Sequence, residues 1–345
     1  MRSEFRFGPV PLDEAVGKLL GHNVAGSDGR PALRKGRPLT AGDVALLRGL
    51  GRSVVYVAQP GTDDLDEDTA ALRIARAAMG PGLRLRGPGV GRANLLATHA
   101  GVFRVDPTRL LRFNECDGLT IATLRAHTPV REGQVVATAK VIPFAVPATV
   151  VAQAEGIAAA GEPLLRVDPL GARAASLVLS GSSSARERLT RDLVPPLRSR
   201  LEALGASLRA VAFVALDDER GEKALAEALR SQVAQGAEMI LLAGETAIVD
   251  RHDIAPRAIE RAGGDVVAFG APVDPGNLLL LAYLGTVPIL GAPGCARSTK
   301  ANVVDLVLPR LLAGDRLGRA DIAGLGYGGL LEDWPERPTP RAQVG

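Results

Sequence analysis

Short apolar runs and helix-forming segments alternate along the carboxyl-terminal half of this chain, and this alternation constrains its fold more than any other feature. The apolar runs lie at residues 175–179, 210–214, 238–242, 265–269 and 287–290. Segments with helical spacing lie at residues 189–204, 219–234 and 302–312. Strands that alternate with helices form parallel sheets, because each connection must cross back over the sheet. The sequence therefore predicts an α/β domain with a largely parallel sheet over residues 173–320.

The bulk composition is typical of an ordinary globular protein. The chain has 345 residues, 46% hydrophobic and 23% charged, which is enough for two or three domains with their own cores. A net charge of +3 and an aromatic content of 3% argue against a nucleic-acid partner. Cys116 and Cys295 lie far apart and show no metal-ligand spacing. No signal segment or membrane span is recognisable, so we expect a cytoplasmic protein with no membrane partner.

Residues 1–60 are expected to form a small α/β segment. Apolar residues at helical spacing predict a helix over residues 11–20. A second helix is predicted to begin at Thr40, which can cap it together with Asp43 at the third helical position. Residues 53–57 are then predicted to form a strand.

Residues 61–172 are predicted to form a separate β-rich domain, either a barrel or a sandwich. Acidic residues at 63–68 indicate the capped start of a helix that runs to Met79. Runs typical of strands follow at residues 101–105, 119–124, 135–141 and 148–152. Residues 321–345 are rich in Gly and Pro and are expected to be a surface tail.

The loop after residues 238–242 carries the strongest functional signal. Gly244 permits a sharp turn, and the Thr246 hydroxyl can donate a hydrogen bond to an oxyanion. Asp250 and Asp253 offer hard oxygen ligands for Mg²⁺, and we interpret both as candidate catalytic and metal-binding residues. In open α/β sheets, ligands bind beyond the carboxyl ends of the strands, which is where this loop is placed.

Three further loops supply candidate ligand-binding residues. The first loop follows residues 175–179 and offers amides and hydroxyls for an anion, although a serine-rich helix cap explains the same residues. Cys295 is at a predicted helix start, where a thiolate is favoured, but we prefer the interpretation that a small residue fits a tight turn there. The candidate residues of the three loops are Ser180, Gly181, Ser182 and Ser183; Pro275, Gly276 and Asn277; and Pro293, Gly294, Arg297, Ser298 and Lys300.

Taken in order, the turns at residues 244–256, 272–277 and 291–298 resemble the molybdopterin-binding domain of the molybdenum cofactor biosynthesis family. The likeness covers residues 173–315, and a shorter passage at residues 30–57 resembles the molybdopterin molybdenumtransferases. The resemblance implies a three-layer α/β/α domain that binds molybdopterin with Mg²⁺. Asp253 matches the family's functional aspartate. The chain departs from the family pattern at Glu245, which replaces a glycine, and at Cys295 and Ala296, which replace Asn-Pro.

The resemblance implies a role in molybdenum cofactor biosynthesis, with Mg²⁺-dependent insertion of molybdate as the leading hypothesis. A non-catalytic carrier or sensor of the cofactor is the first alternative, and a nucleotide pyrophosphate hydrolase is the second. The expected partners are a pterin phosphate, molybdate and molybdoenzyme acceptor proteins. The sequence leaves the oligomeric state open.

Overall fold

The computed structural model describes residues 5–27, 29–171, 173–218 and 220–331. The chain divides into two compact units, Met1–Asp168 and Pro169–Gly345. None of the helices in the described ranges combines the length and the apolar character needed to cross a membrane.

The first unit begins with a three-stranded antiparallel sheet in the order β1-β5-β2 and a β3-β4 hairpin. The elements are β1 (Arg6–Pro11), β2 (Leu19–Leu20), β3 (Val24–Ala25), β4 (Pro31–Leu33), α1 (Ala41–Gly49) and β5 (Val54–Gln59).

The predicted cap of α1 is present. The Asp43 amide donates to Thr40 Oγ1 at 3.2 Å, and the Thr40 amide donates to Asp43 Oδ2 at 2.9 Å. The helix predicted over residues 11–20 is wrong, because only a single 3₁₀ turn forms at Leu12–Glu14. Gly17 then adopts a left-handed φ of +83°, which ends the helical path before the strand β2.

The rest of the first unit is a mixture of helices and short strands. Its strands pair in the orders β10-β12-β8-β7, β11-β9-β14 and β13-β6. The elements are β6 (Asp64–Asp66), α2 (Glu67–Ala78), β7 (Leu83–Arg86), β8 (Arg92–Ala97), β9 (Gly101–Val105), α3 (Pro107–Asn114), β10 (Leu119–Thr123), β11 (Pro129–Val130), β12 (Val135–Val141), β13 (Ala145–Pro147), α4 (Ala148–Ala159) and β14 (Leu165–Pro169).

The expectation of a barrel or sandwich in this region is not met. Helix α2 packs against β8, β12 and α4, so the four-stranded sheet is covered by helices rather than by a second sheet. Residues 148–152, expected to be a strand, form the first turns of α4. Val151, Ala154 and Ala158 are buried on one side of α4, and this packing outweighs the local β preference of the valines.

The second unit contains a six-stranded sheet in the order β16-β15-β17-β20-β19-β18. The first four strands in this order pair in parallel, and β19 runs antiparallel to both of its neighbours. The elements are β15 (Ala174–Gly181), α5 (Arg186–Ala203), β16 (Ser207–Ala215), α6 (Gly221–Ala234), β17 (Met239–Gly244), α7 (Ile254–Arg261), β18 (Asp265–Phe269), β19 (Leu280–Leu284), β20 (Val287–Gly291), α8 (Val303–Leu312) and α9 (Arg319–Ala323).

Separate apolar cores cover the two faces of this sheet. Leu177 of β15 belongs to the core formed with α5, α8 and α9, whereas the next residue, Val178, belongs to the core formed with α6 and α7. Alternate side chains of a strand point to opposite faces, so a central strand covered on both sides is buried throughout. All eight residues of β15 are buried, as this arrangement requires. The second unit is therefore a mixed α/β fold with helices on both faces of a largely parallel sheet.

Candidate functional site

A cleft of about 520 Å³ opens in the second unit where β15, β17 and β20 end. Because these strands are parallel, the loops that follow them emerge at the same edge of the sheet. The structure therefore brings together residues from three of the loops that the sequence singled out. The sequence-predicted residues that line the cleft are Ser180, Gly181, Ser182, Gly244, Thr246, Asp253, Gly294 and Arg297.

The remaining candidate residues, among them Ser183 and Asp250, do not line this cleft. The turn at residues 275–277 instead supports the start of α8, where the Val303 amide donates to the Pro275 carbonyl oxygen at 3.1 Å. The carbonyl oxygens of Ser298 and Lys300 accept hydrogen bonds from Arg200 at 2.8 and 3.1 Å. The other candidates outside the lining are Gly276, Asn277 and Pro293.

Two carboxylates of the chain accept hydrogen bonds from the loop after β15, which the sequence predicts as an anion site. The Ser182 amide and hydroxyl each donate to Glu245 Oε2 at 2.8 Å, and Arg188 donates to Oε1 at 2.8 Å. The Ser183 amide donates to Asp217 at 3.1 Å, and its hydroxyl donates to the same carboxylate. The amides of Ser182 and Ser183 are thus bonded rather than free, and an anion that binds them must displace a side chain.

These contacts also affect the charge of the cleft. The hydrogen bonds from Ser182 lower the pKa of Glu245, and Arg188 acts in the same direction. The hydrogen bonds from Ser183 lower the pKa of Asp217. Both groups are therefore ionised at neutral pH. Glu245 was noted in the sequence only as a departure from a glycine pattern, and its contact with a loop 63 residues away could not be read from that position.

Asp253 and Asp250 both have local structural roles. Asp253 is the N-cap of α7: its Oδ1 accepts from the Ile254 amide at 2.9 Å, and its Oδ2 accepts from the Val249 amide at 3.3 Å. Asp250 Oδ1 accepts from the His252 amide at 2.7 Å. Within the described ranges, no group of three or more His, Cys, Asp or Glu side chains is placed to hold a metal ion. Magnesium binding by these two aspartates stays a prediction.

Arg297 introduces a cation into the cleft. It ends the 3₁₀ turn Gly294–Arg297 after β20, and its Nε is buried without a hydrogen-bond partner in the part of the chain that is described. A buried donor without a partner is costly, so this nitrogen favours an acceptor brought by a ligand. The neighbouring Cys295 does not have the thiolate character considered from the sequence, because burial raises the pKa of its thiol.

Comparison with known proteins adds little to this description. Residues 9–59 match a family model described as a domain of unknown function (DUF8806). A solved structure to which the chain is similar is the molybdopterin biosynthesis MoeA protein from Pyrococcus horikosii, with 11% sequence identity and a TM-score of 0.29. That match covers 89% of this chain and 75% of the other. No curated protein matches the chain.

Proposed function

We propose that the second unit binds a phosphate-bearing pterin of the molybdopterin class in the cleft at the ends of β15, β17 and β20. The observation that carries this proposal is the buried and unpartnered Nε of Arg297, in a cleft that carboxylates also line. Guanidinium groups bind phosphate oxygens through two parallel hydrogen bonds. A pterin ring has an amino group and ring N–H groups that donate to carboxylates such as Glu245 and Asp253.

The size of the cleft supports a small-molecule ligand. A volume of about 520 Å³ lies within the range of roughly 300–1,000 Å³ that is common for such sites. The choice of a pterin over other phosphate-bearing heterocycles rests on the resemblance of the loops at residues 244–256 and 291–298.

We further propose that this unit binds the ligand without converting it. The carboxylate of Asp253, the leading catalytic candidate, accepts from the Ile254 amide at the start of α7 and from the Val249 amide in the preceding loop, and so serves as the cap of that helix. The Ser182 amide, which an oxyanion would require, already bonds Glu245. Both contacts are consistent with a protein that carries or senses the cofactor. Molybdate insertion and pyrophosphate hydrolysis are the two alternatives that the experiments below distinguish from it.

The binding test is an anaerobic titration of the full chain with molybdopterin. We expect saturable binding by the wild type, weaker binding by Arg297→Lys and the weakest by Arg297→Ala. A charge-assisted hydrogen bond is worth roughly 1.5–3 kcal/mol, and lysine keeps the charge but loses the planar fork. Arg209→Ala is the matched control, because Arg209 is exposed on β16 and does not line the cleft. Equal affinity of all four proteins would contradict the proposal.

The catalytic alternatives are tested by incubating the wild type with adenylylated molybdopterin, molybdate and Mg²⁺. A carrier binds the pterin and releases no AMP above the rate without protein. Release of AMP that depends on molybdate would assign insertion instead. In a separate incubation with a dinucleotide, cleavage that needs Mg²⁺ and no molybdate would assign hydrolysis.

A further inference from the structure

The first unit contains a second cavity, larger than the cleft of the second unit. Its volume is about 970 Å³, and residues from positions 5 to 150 line it. Aromatic residues are only 3% of this chain, yet three of its seven phenylalanines, Phe5, Phe7 and Phe144, line this one cavity. An aromatic-lined cavity of this size with a few charged groups has the composition of a small-molecule site.

The aromatic wall of the cavity is held in place by ring contacts and by close backbone approach. The His22 ring lies 5.4 Å from the Phe7 ring at 80°, and 5.5 Å from the Tyr56 ring. A Cβ at Gly36, whose φ is +83°, would lie only 3.3 Å from the Phe144 ring. Phe7 remains 46% exposed, so part of its surface is open to a ligand.

The charges of the cavity lining come from two lysines and two acids, Lys35, Lys140, Glu67 and Asp117. Lys140 Nζ lies 3.8 Å from Glu67 Oε2 and donates to the Val90 carbonyl oxygen. The Lys35 ammonium has neither a hydrogen bond nor an ion pair to any described residue, and only its backbone amide is bonded, to Asn23 Oδ1. Burial and the nearby negative charge of Asp68 raise the pKa of Glu67, and the charges of Lys140 and Lys35 oppose that rise. Asp117, the other acid of the lining, is exposed.

Val90 at this cavity adopts a strained backbone conformation. It has a φ of 55°, which is unusual for a β-branched residue, and it is 71% exposed. Lys140 bonds its carbonyl oxygen, and the following Gly91 amide donates to Asp68 Oδ1 at 2.7 Å. Strain of this kind persists only where the surroundings enforce it, and such positions cluster at ligand-binding sites.

We propose that this cavity is a second ligand site, for a planar aromatic molecule that carries one anionic group. The ring of the ligand packs against Phe7 and Phe144, and its anionic group lies at Lys35. Lys140 already contacts Glu67 and the Val90 carbonyl oxygen, whereas the Lys35 ammonium has no partner among the described residues, so Lys35 is the cation left to pair with an anionic group. This site is independent of the pterin proposal, because it uses residues of the first unit alone.

The test uses two fluorescent dyes of similar shape, anilinonaphthalene sulfonate and the uncharged phenylnaphthylamine, titrated against the full chain. Phe144→Ala should weaken both dyes by roughly tenfold, because a stacked ring is lost. Lys35→Gln should weaken the sulfonate by about threefold, typical of an exposed charge pair, and leave the neutral dye unchanged. Arg34→Gln is the matched control, since this exposed neighbour carries the same charge but does not line the cavity. It should change neither dye.

Melting of each variant is measured first, and Phe144→Leu replaces Phe144→Ala if the latter unfolds. The leucine variant keeps much of the volume but lacks the ring, so it should also weaken both dyes. Failure of the wild type to bind the sulfonate, or equal binding by the folded Phe144 variant, would overturn the site. Unchanged sulfonate binding by Lys35→Gln, or the same loss in Arg34→Gln, would overturn its preference for an anion.

Discussion

Substitutions of Asp253 can separate two roles of its carboxylate, the capping of helix α7 and the binding of a ligand. As the N-cap of α7, it accepts from the Ile254 amide at 2.9 Å and from the Val249 amide at 3.3 Å. Replacing a capping aspartate by alanine costs about 1 kcal/mol, within a range of roughly 0.5–2 kcal/mol. Asparagine caps as well as aspartate does, so Asp253→Asn should change the free energy of unfolding by less than about 0.5 kcal/mol.

The effect of these substitutions on stability is measured by thermal unfolding, monitored by circular dichroism. A loss of about 1 kcal/mol should lower the Tm of Asp253→Ala by roughly 2–4 °C, the shift expected for a unit of about 150–250 residues. Asp253→Asn should melt like the wild type. Asp66→Ala is the control, because Asp66 caps α2 in the first unit and accepts from the Thr69 amide at 2.9 Å. It should cost similar stability and leave molybdopterin binding unchanged.

The affinity of the same proteins for the ligand is measured by titration with molybdopterin. Asp253→Asn removes the negative charge facing the cleft, so it should bind the pterin more weakly although it is fully folded. Equal destabilisation by asparagine and alanine would refute the capping argument. Wild-type affinity in Asp253→Asn would show instead that the carboxylate is only a cap.

Two further substitutions test other parts of the second unit. Glu245→Ala, which removes the acceptor of the Ser182 amide, should let that amide bind inorganic phosphate, which calorimetric titration detects. Because the pKa of Glu245 is lowered, its contact with Ser182 is complete at pH values above the usual glutamate range and is lost only as the pH falls through the lowered pKa. Mild acid should therefore not mimic the substitution, and the idea fails if phosphate binds the two proteins alike. Gly276→Ala should cost roughly 2–4 kcal/mol in urea unfolding, because φ is +137° and the new Cβ would lie 2.4 Å from Val303. Gly294→Ala, with open space around it, is the control, and equal stability of the two would refute the steric argument.

Local patterns in the sequence were sufficient to predict a helix or a strand wherever one periodic signal dominated. Fully apolar runs become β15 and β17 because a parallel strand covered on both faces excludes polar side chains. The leucines at four-residue spacing become one continuous α5 despite Pro195 and Pro196, since Leu189, Leu193, Leu197 and Leu201 are all buried on one face. The sequence did not predict β19, and this strand makes one part of the sheet antiparallel.

The sequence by itself determined which loops follow parallel strands, and therefore that residues near Ser180, Gly244 and Gly294 meet at one edge. Strand direction alone requires this, so no knowledge of side-chain contacts was needed. Only the tertiary structure decided that Glu245 turns onto Ser182, that Asp253 caps a helix, and that Arg297 keeps a buried nitrogen without a described partner. The sequence also did not predict the cavity of the first unit, because residues as distant along the chain as Phe7 and Phe144 line it. Contacts between residues so far apart depend on packing in three dimensions, which no local periodicity encodes.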